Sequence, residues 1–382
     1  MNRGWNWISF NVNRSDFNDL TASLLNGEWS DNDQIKSGNN GFANYIASQH
    51  KWLGTLTTLD NKTMYMLNTN NEQTLSIEGR AVVPAEHPIT VNHKWNYISY
   101  QPMVNMTIQE ALADYQGAMD NDIIKSQTSF AIYMNNKWVG SLKYMEANQG
   151  YMLYRGAPKT VTFKYPSNKG SLSRSGRAAN ALLTNVVDEK AKEVSQQFAE
   201  NMSVIATTTN DFELEGYDRI VAMVNGEVRG VANKVDLENG KRLMFISISG
   251  EKNAPVTFVA EREGRTIATT TPLFNYESND VKGSMDKPVV LDFSLVDESI
   301  DVSPRVFDSN INVTVKNRDA QQVVVAIYNL QGRLLMQENA SQTGTGIFRL
   351  TYNGKALPEG HYLVRVSVDD KTSAYKVVKI DK

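Results

Sequence analysis

The sequence predicts a mostly β protein: a tandem β-rich repeat, each copy with one short helix, followed by two antiparallel immunoglobulin-like β-sandwich domains. Three observations predict it. A block at the N-terminus returns later with the same aromatic and glycine positions. From about residue 201 onward, short alternating apolar segments are punctuated by Gly, Asn and Pro, the spacing of a sandwich. The composition, 41% hydrophobic and 21% charged, is that of a folded chain rather than a disordered one.

The repeat comes first along the chain. Gly4-Trp5-Asn6-Trp7-Ile8-Ser9-Phe10 returns as Lys94-Trp95-Asn96-Tyr97-Ile98-Ser99-Tyr100. Ile35-Lys36-Ser37 returns as Ile124-Lys125-Ser126, Trp52-Leu53-Gly54 as Trp138-Val139-Gly140, and Tyr65-Met66-Leu67 as Tyr151-Met152-Leu153. The spacing drifts by a few residues, as loops of unequal length would make it. The copies are read as domains over residues 1–83 and 84–166. In each, an alternating first strand places Trp5 and Trp7 on one face and Asn6, Ile8 and Phe10 on the other. Thr107 and Glu110 form a capping-box signature before Ile108, Ala111, Leu112 and Tyr115, and Phe17, Leu20 and Leu24 make a weaker stripe.

Two readings stand for the paired aromatics. Trp52 and Trp138, with Trp5 and Trp95, are candidate ligand-binding residues, since indole offers a broad flat face for a sugar ring or a partner surface. Core or inter-strand packing is the commoner fate of tryptophan and the reading favoured here. The Asp-Asn-Asp runs at 31–33 and 120–122 lack the glycine and distal glutamate of an EF-hand, so a turn with Asx hydrogen bonds is expected.

Residues 167–200 have linker composition with weak helical propensity, and Lys169, Arg174 and Arg177 form a solvated basic run. Residues 201–298 read as a β-sandwich module. Its clearest hairpin is Ile220–Val224 and Glu227–Ala232 around Asn225-Gly226, which suits a type I′ turn. The 226–232 run resembles a stretch of β-modules in exported Bacteroidetes proteins. Arg229 within it is expected at the surface.

Residues 299–382 form the last sandwich, with strands near 311–315, 323–328, 333–336, 347–350, 362–368 and 374–380. Val325-Ala326-Ile327-Tyr328-Asn329-Leu330-Gln331-Gly332, then Leu357-Pro358-Glu359-Gly360-His361-Tyr362, then Lys376-Val377-Val378-Lys379 occur in that order. This series resembles the C-terminal sorting domain of the type IX (Por) secretion system of Bacteroidetes, although that family's opening Pro-Asn-Pro is here Ser303-Pro304-Arg305. The resemblance implies Gly332, Leu357, Pro358, Gly360, Tyr362, Lys376 and Lys379 as sorting-motif residues. It also implies the type IX machinery as partner and an extracellular or outer-membrane-surface location. Read physically, Gly360 is a turn glycine, Tyr362 a tyrosine-corner-like packing residue, and Lys376 and Lys379 a solvated strand face. Because Met1 runs straight into the first strand without the apolar segment of a signal peptide, the chain reads as the C-terminal part of a longer protein.

Composition narrows the functions. With no cysteine, disulfides, thiolate nucleophiles, cysteine-held zinc and iron–sulfur clusters are excluded. Only His50, His87, His93 and His361 are present, and no nucleophile–base set appears. Net charge −3 and a pI near 5.9 give no nucleic-acid partner, and no segment approaches the ~20 apolar residues of a membrane span. Glu213/Glu215 and Glu261/Glu263 are the available carboxylate pairs, and side chains two apart in a strand share an ordinarily solvated face. The expectation is a non-enzymatic surface or secreted protein with binding or adhesion modules, no cofactor and no metal. Its partner would be a glycan or a host protein. The alternative is a carbohydrate-binding module of a larger surface glycan-processing enzyme.

Overall fold

The computed structural model describes residues 1–38, 41–167, 183–209, 217–250, 253–295, 299–317, 320–344 and 347–380. It is mostly β, with 49% strand and 8% helix. Two compact units divide the chain: Met1–Thr207, Ala222–Val256 and Phe274–Val290 form one, and Thr208–Val221, Thr257–Leu273 and Leu291–Lys382 the other.

In the first unit, β1 (Gly4–Ile8), β2 (Gln34–Lys36), β3 (Phe42–Ile46), β4 (Lys51–Gly54) and β5 (Tyr65–Thr69) form an antiparallel sheet ordered β1-β5-β2-β3-β4. Next come β6 (Lys94–Ser99), β7 (Ile123–Lys125), β8 (Phe130–Met134), β9 (Lys137–Gly140) and β10 (Gly150–Arg155). They form a second antiparallel sheet ordered β6-β10-β7-β8-β9, the same strand order five places on. Asn135 and Asn136, at φ 51° and 64°, make the tight β8–β9 turn, a conformation asparagine tolerates better than most residues.

One short helix accompanies each sheet. In α1 (Leu20–Ser23) the Asp19 carboxylate accepts from the Thr21 and Ala22 N–H groups. In α2 (Ile108–Ala111) Thr107 and Glu110 complete the capping box. Each helix lays its apolar side on its sheet's inner face. Phe17, Leu20 and Leu24 pack with Ile35 and Leu67 in the first core, and Ile108, Leu112 and Tyr115 with Ile124 and Leu153 in the second.

The first unit continues through α3 (Glu189–Ser195), capped by Asp188, into β11 (Asn201–Thr208). β12 (Glu227–Asp236) follows the Asn225-Gly226 turn, whose φ values of 52° and 78° are those a type I′ turn requires. β13 (Arg242–Ser249) pairs antiparallel with both β11 and β12. Residues 196–199 are tied to the first sheet by backbone acceptors: Trp5 N–H donates to the Gln196 carbonyl at 2.7 Å and Trp7 Nε1 to the Ala199 carbonyl at 2.8 Å. Composition alone gave no sign of these bonds, because carbonyls leave no residue-type signature.

Strand Pro255–Arg262, which belongs to the second unit from Thr257 on, turns at Glu263-Gly264 into Arg265–Thr269. The C-terminal portion contains β14 (Ser299–Ser303), β15 (Val306–Phe307), β16 (Asn310–Lys316), β17 (Val323–Asn329) and β18 (Leu334–Asn339). It continues with β19 (Ser341–Gly344), β20 (Ile347–Asn353), β21 (Gly360–Val368) and β22 (Lys371–Lys379). Two sheets result, β14-β16-β20-β19 and β15-β22-β21-β17-β18. Alternate residues of both, among them Ile311, Val313, Val325, Ile327, Val364, Val366 and Val377, fill one core between them.

Candidate functional site

Five residues stand side by side across the first sheet, one per strand: Trp5, Asn68, Gln34, Asn44 and Leu53. The matching register across the second sheet holds Trp95, Tyr154, Ile123, Ile132 and Val139. The second row is apolar and packs with Ile205, Val235, Leu243, Phe245 and Met285, the Phe130 and Phe245 rings lying 5.0 Å apart. On the first sheet the same face is only partly covered: Trp7 and Met66 are buried at one end, while Gln34, Asn44 and Asn68 are half-buried. Phe42 and Leu53 are 46% and 45% exposed, and a hollow of about 520 Å³ is lined by Asp31, Asn32, Gln34, Asn44, Tyr45, Ile46 and Asn68.

The paired tryptophans divide by depth. Trp52 and Trp138 are 6% and 7% exposed and belong to the two cores. Trp52 meets Trp29 and Tyr45 edge-on at 5.1 and 5.5 Å, and Trp138 meets Tyr133 at 5.1 Å and stacks on Tyr115 at 6.4 Å. Their burial fits the packing reading rather than the ligand-stacking one. Trp5 and Trp95 are half-buried instead, and each carries a lysine. Lys36 Nζ lies 5.2 Å from the Trp5 ring centroid and Lys125 Nζ 4.7 Å from that of Trp95.

These lysines align in the sequence repeat, but nothing there marked them as functional. Lys125 is fully buried and donates to the Asn201 carbonyl at 2.9 Å and to Asn279 Oδ1 at 2.8 Å. Burial pushes its ammonium down to about 7, against the pull of Glu200. Lys36 pairs with Glu200 at 3.0 Å. Although burial opposes ionisation of Glu200, Lys36 and Lys125 hold its carboxyl below the ordinary range.

The Asp-Asn-Asp runs are turns. Asp33 accepts the Ser30 and Asn70 N–H groups at 2.9 and 2.8 Å. Asp122 accepts the Met119 and Gly156 N–H groups at 3.2 and 2.8 Å and the Tyr115 hydroxyl at 3.1 Å, with buried Arg155 at 3.9 Å. Among the described residues no cluster of three or more His, Cys, Asp or Glu could hold a metal ion.

Arg229, expected at the surface, is buried: its guanidinium lies 4.3 Å from the Phe198 ring centroid and pairs with Glu227 at 2.6 Å. A ring to stack on and a carboxylate two residues away offset part of its desolvation, while Nε is left without a hydrogen-bond partner. The Glu261/Glu263 pair does not share a strand face, because a bulge follows Ala260 and Glu263 enters the turn at φ 50°. Glu261 is instead ion-paired with Arg219 at 2.5 Å. Glu213, Glu215, Lys169, Arg174 and Arg177 lie outside the described residues.

In the C-terminal portion, the buried Tyr362 donates its hydroxyl to the Pro358 carbonyl at 2.7 Å, and its ring lies 6.5 Å from Phe307. Leu357 packs against the same core while Pro358 is exposed. Gly332, at φ 77°, closes a turn by donating its N–H to the Asn329 carbonyl at 3.0 Å, and Gly360 sits at φ 147°. Lys376 is exposed but Lys379 is buried, its ammonium donating to the Ile380 carbonyl. Strand alternation puts positions three apart on opposite faces, so the two lysines cannot form one solvated face.

Residues 305–380 match the family profile described as the secretion system C-terminal sorting domain. These residues belong to that family. The sorting domain makes the chain an exported protein, secreted or attached to the cell surface, and implies engagement of the type IX secretion machinery. Among the described residues no helix is long and apolar enough to cross a membrane. No curated protein matches the chain.

Solved structures give distant likenesses. A DUF3823 family protein from Parabacteroides merdae is similar at 12% identity, covering 47% of this chain and 99% of that one, with a TM-score of 0.17. The pullulanase SAP of Group B Streptococcus is similar at 9% identity, covering 45% of this chain and 22% of that one, with a TM-score of 0.17. A pullulanase from Bacillus acidopullulyticus is similar at 10% identity, covering 76% of this chain and 36% of that one, with a TM-score of 0.18. The chain thus spans well under half the length of either pullulanase.

Proposed function

We infer that the chain is a non-catalytic exported protein in which the sorting domain directs export and the β-rich modules present a binding surface. The observation that supports this reading is the contrast between the two cross-strand rows. One strand order carries an apolar row under cover in the second sheet and a half-buried, amide-bearing row beside a hollow on the first. The covered row acts as a mount and the other as a display. Sorting-domain recognition rests on a folded surface, held by the Tyr362–Pro358 bond and the turns at Gly332 and Gly360.

The export half is tested by removing residues 305–380 and expressing the chain in a bacterium with a functional type IX system. The truncated protein is expected to be retained inside the outer membrane while the intact chain reaches the cell exterior. Equal amounts outside would overturn this reading.

A further inference from the structure

Three neighbouring strands of the first sheet place Asn68, Gln34 and Asn44 in a line, with Trp5 beyond one end and Leu53 beyond the other. Neighbouring strands lie about 4.8 Å apart, so the three amides span roughly 10 Å, the reach of two linked sugar rings. Asparagine is among the residues depleted in strands, where β-branched and aromatic side chains are enriched. Here three consecutive cross-strand positions are uncharged amides.

Their hydrogen-bonding capacity is largely unspent. Gln34 Nε2 donates to Asn44 Oδ1 at 2.8 Å, which leaves the Asn44 amide N–H groups, Gln34 Oε1 and the whole Asn68 amide for a ligand. No lysine or arginine lines the hollow, and Lys36 on the same face is paired with Glu200. The hollow's single carboxylate, Asp31, accepts the Ala47 N–H at 2.7 Å. Exposed Phe42 and Leu53 add apolar area on the same sheet. Paired donors and acceptors, a lining without lysine or arginine and flanking apolar patches match a neutral polyhydroxylated chain, whose hydroxyls both give and take hydrogen bonds while its C–H faces seek apolar surface. An anionic polymer would meet no cationic side chain in the lining of the hollow, and Asp31 at its rim would oppose it.

We propose that the amide row of the first sheet, Asn68, Gln34 and Asn44 with Asp31 at its rim, is a binding site for a neutral oligosaccharide. The proposal rests on the display reading above and moves the ligand contacts away from the core residues Trp52 and Trp138.

Affinity gel electrophoresis of the full chain tests it, with soluble starch, xylan, mannan, mixed-linkage β-glucan or polygalacturonate cast in the gel. At least one neutral polymer is expected to retard the wild type, and polygalacturonate is not. Asn44→Ala with Asn68→Ala should weaken retardation about tenfold or more, each lost amide removing roughly one net hydrogen bond's worth of affinity. Asn44→Asp with Asn68→Asp keeps the shape and should weaken it similarly, with unchanged circular dichroism showing that the sheet is intact.

Absence of retardation by every neutral polymer, or equal retardation of wild type and both variants, overturns the site. Self-association lost in these variants without any polysaccharide effect assigns the face to a second copy and also overturns it. Reducing ends released in the same incubations would overturn the non-catalytic reading instead, whatever the retardation shows.

Discussion

Lys125 donates its side-chain nitrogen to Asn279 Oδ1 at 2.8 Å in a site closed to solvent, above the Trp95 ring. The bond links the second sheet to a segment more than a hundred residues away. The amine is held there although burial favours its uncharged form.

The pH dependence follows from that depression. Below about pH 7 the amine is protonated in both the folded and the unfolded chain. Between about 7 and the ordinary lysine value of 10.5, the unfolded chain keeps a proton that the folded chain has released. Stability therefore rises with pH across this window. Thermal melts of wild type and Lys125→Met near pH 6 and near pH 10 should show the wild type gaining several degrees on the variant at the higher pH. An equal difference at both pH values would mean that Lys125 does not titrate there.

The two rows give a reciprocal pair of substitutions. Ile132→Asn buries an amide against Phe245 and its neighbours and should cost about 2–4 kcal/mol. Asn44→Ile places an apolar group on a half-buried face. It should change stability by less than about 0.5 kcal/mol while promoting self-association. Denaturant unfolding and sedimentation velocity read both effects, and equal destabilisation by the two changes would contradict the difference in cover.

The turn aspartates differ in what they leave behind. Asp122→Ala strands the buried Arg155 charge and should cost about 3–5 kcal/mol. Asp33→Ala orphans two backbone N–H groups, with Thr69 at the position matching Arg155, and should cost about 1–3 kcal/mol. Denaturation midpoints should rank the variants in that order, and added calcium should shift neither.

Within the sorting domain, Tyr362→Phe removes one bond to Pro358 and should cost about 1 kcal/mol, whereas Tyr362→Ala should cost about 3–5 kcal/mol by emptying the core beside Phe307. Gly332→Ala strains a left-handed turn that has room for the methyl, at about 1 kcal/mol, and Gly332→Asn should be milder. The C-terminal calorimetric transition and export yield should fall together in the order Tyr362→Ala, then Tyr362→Phe.

Much of the fold was legible because its signals are local. The Asn225-Gly226 turn, the Thr107/Glu110 cap and the alternation of β16 and β21 each depend on residues adjacent in sequence. Depth was not legible where it depends on what a distant segment covers. Trp52 and Trp5 are both tryptophans on short strands, yet one is core and the other half-open. Arg229 and Lys379 went under for the same kind of reason, a ring or a carbonyl supplied by the fold rather than by residue type. The amide row was hidden because its members come from three separated strands and meet only once the register is known.

Each row contributes one side chain per strand and projects away from the helix-packed core. On the first sheet, where the row is not sealed in a core, its chemistry can therefore be rewritten by a few codon changes without disturbing the interior that stabilises the module. Two sheets with one strand order can thus carry different side chains at matching registers, one row sealed and the other free to vary.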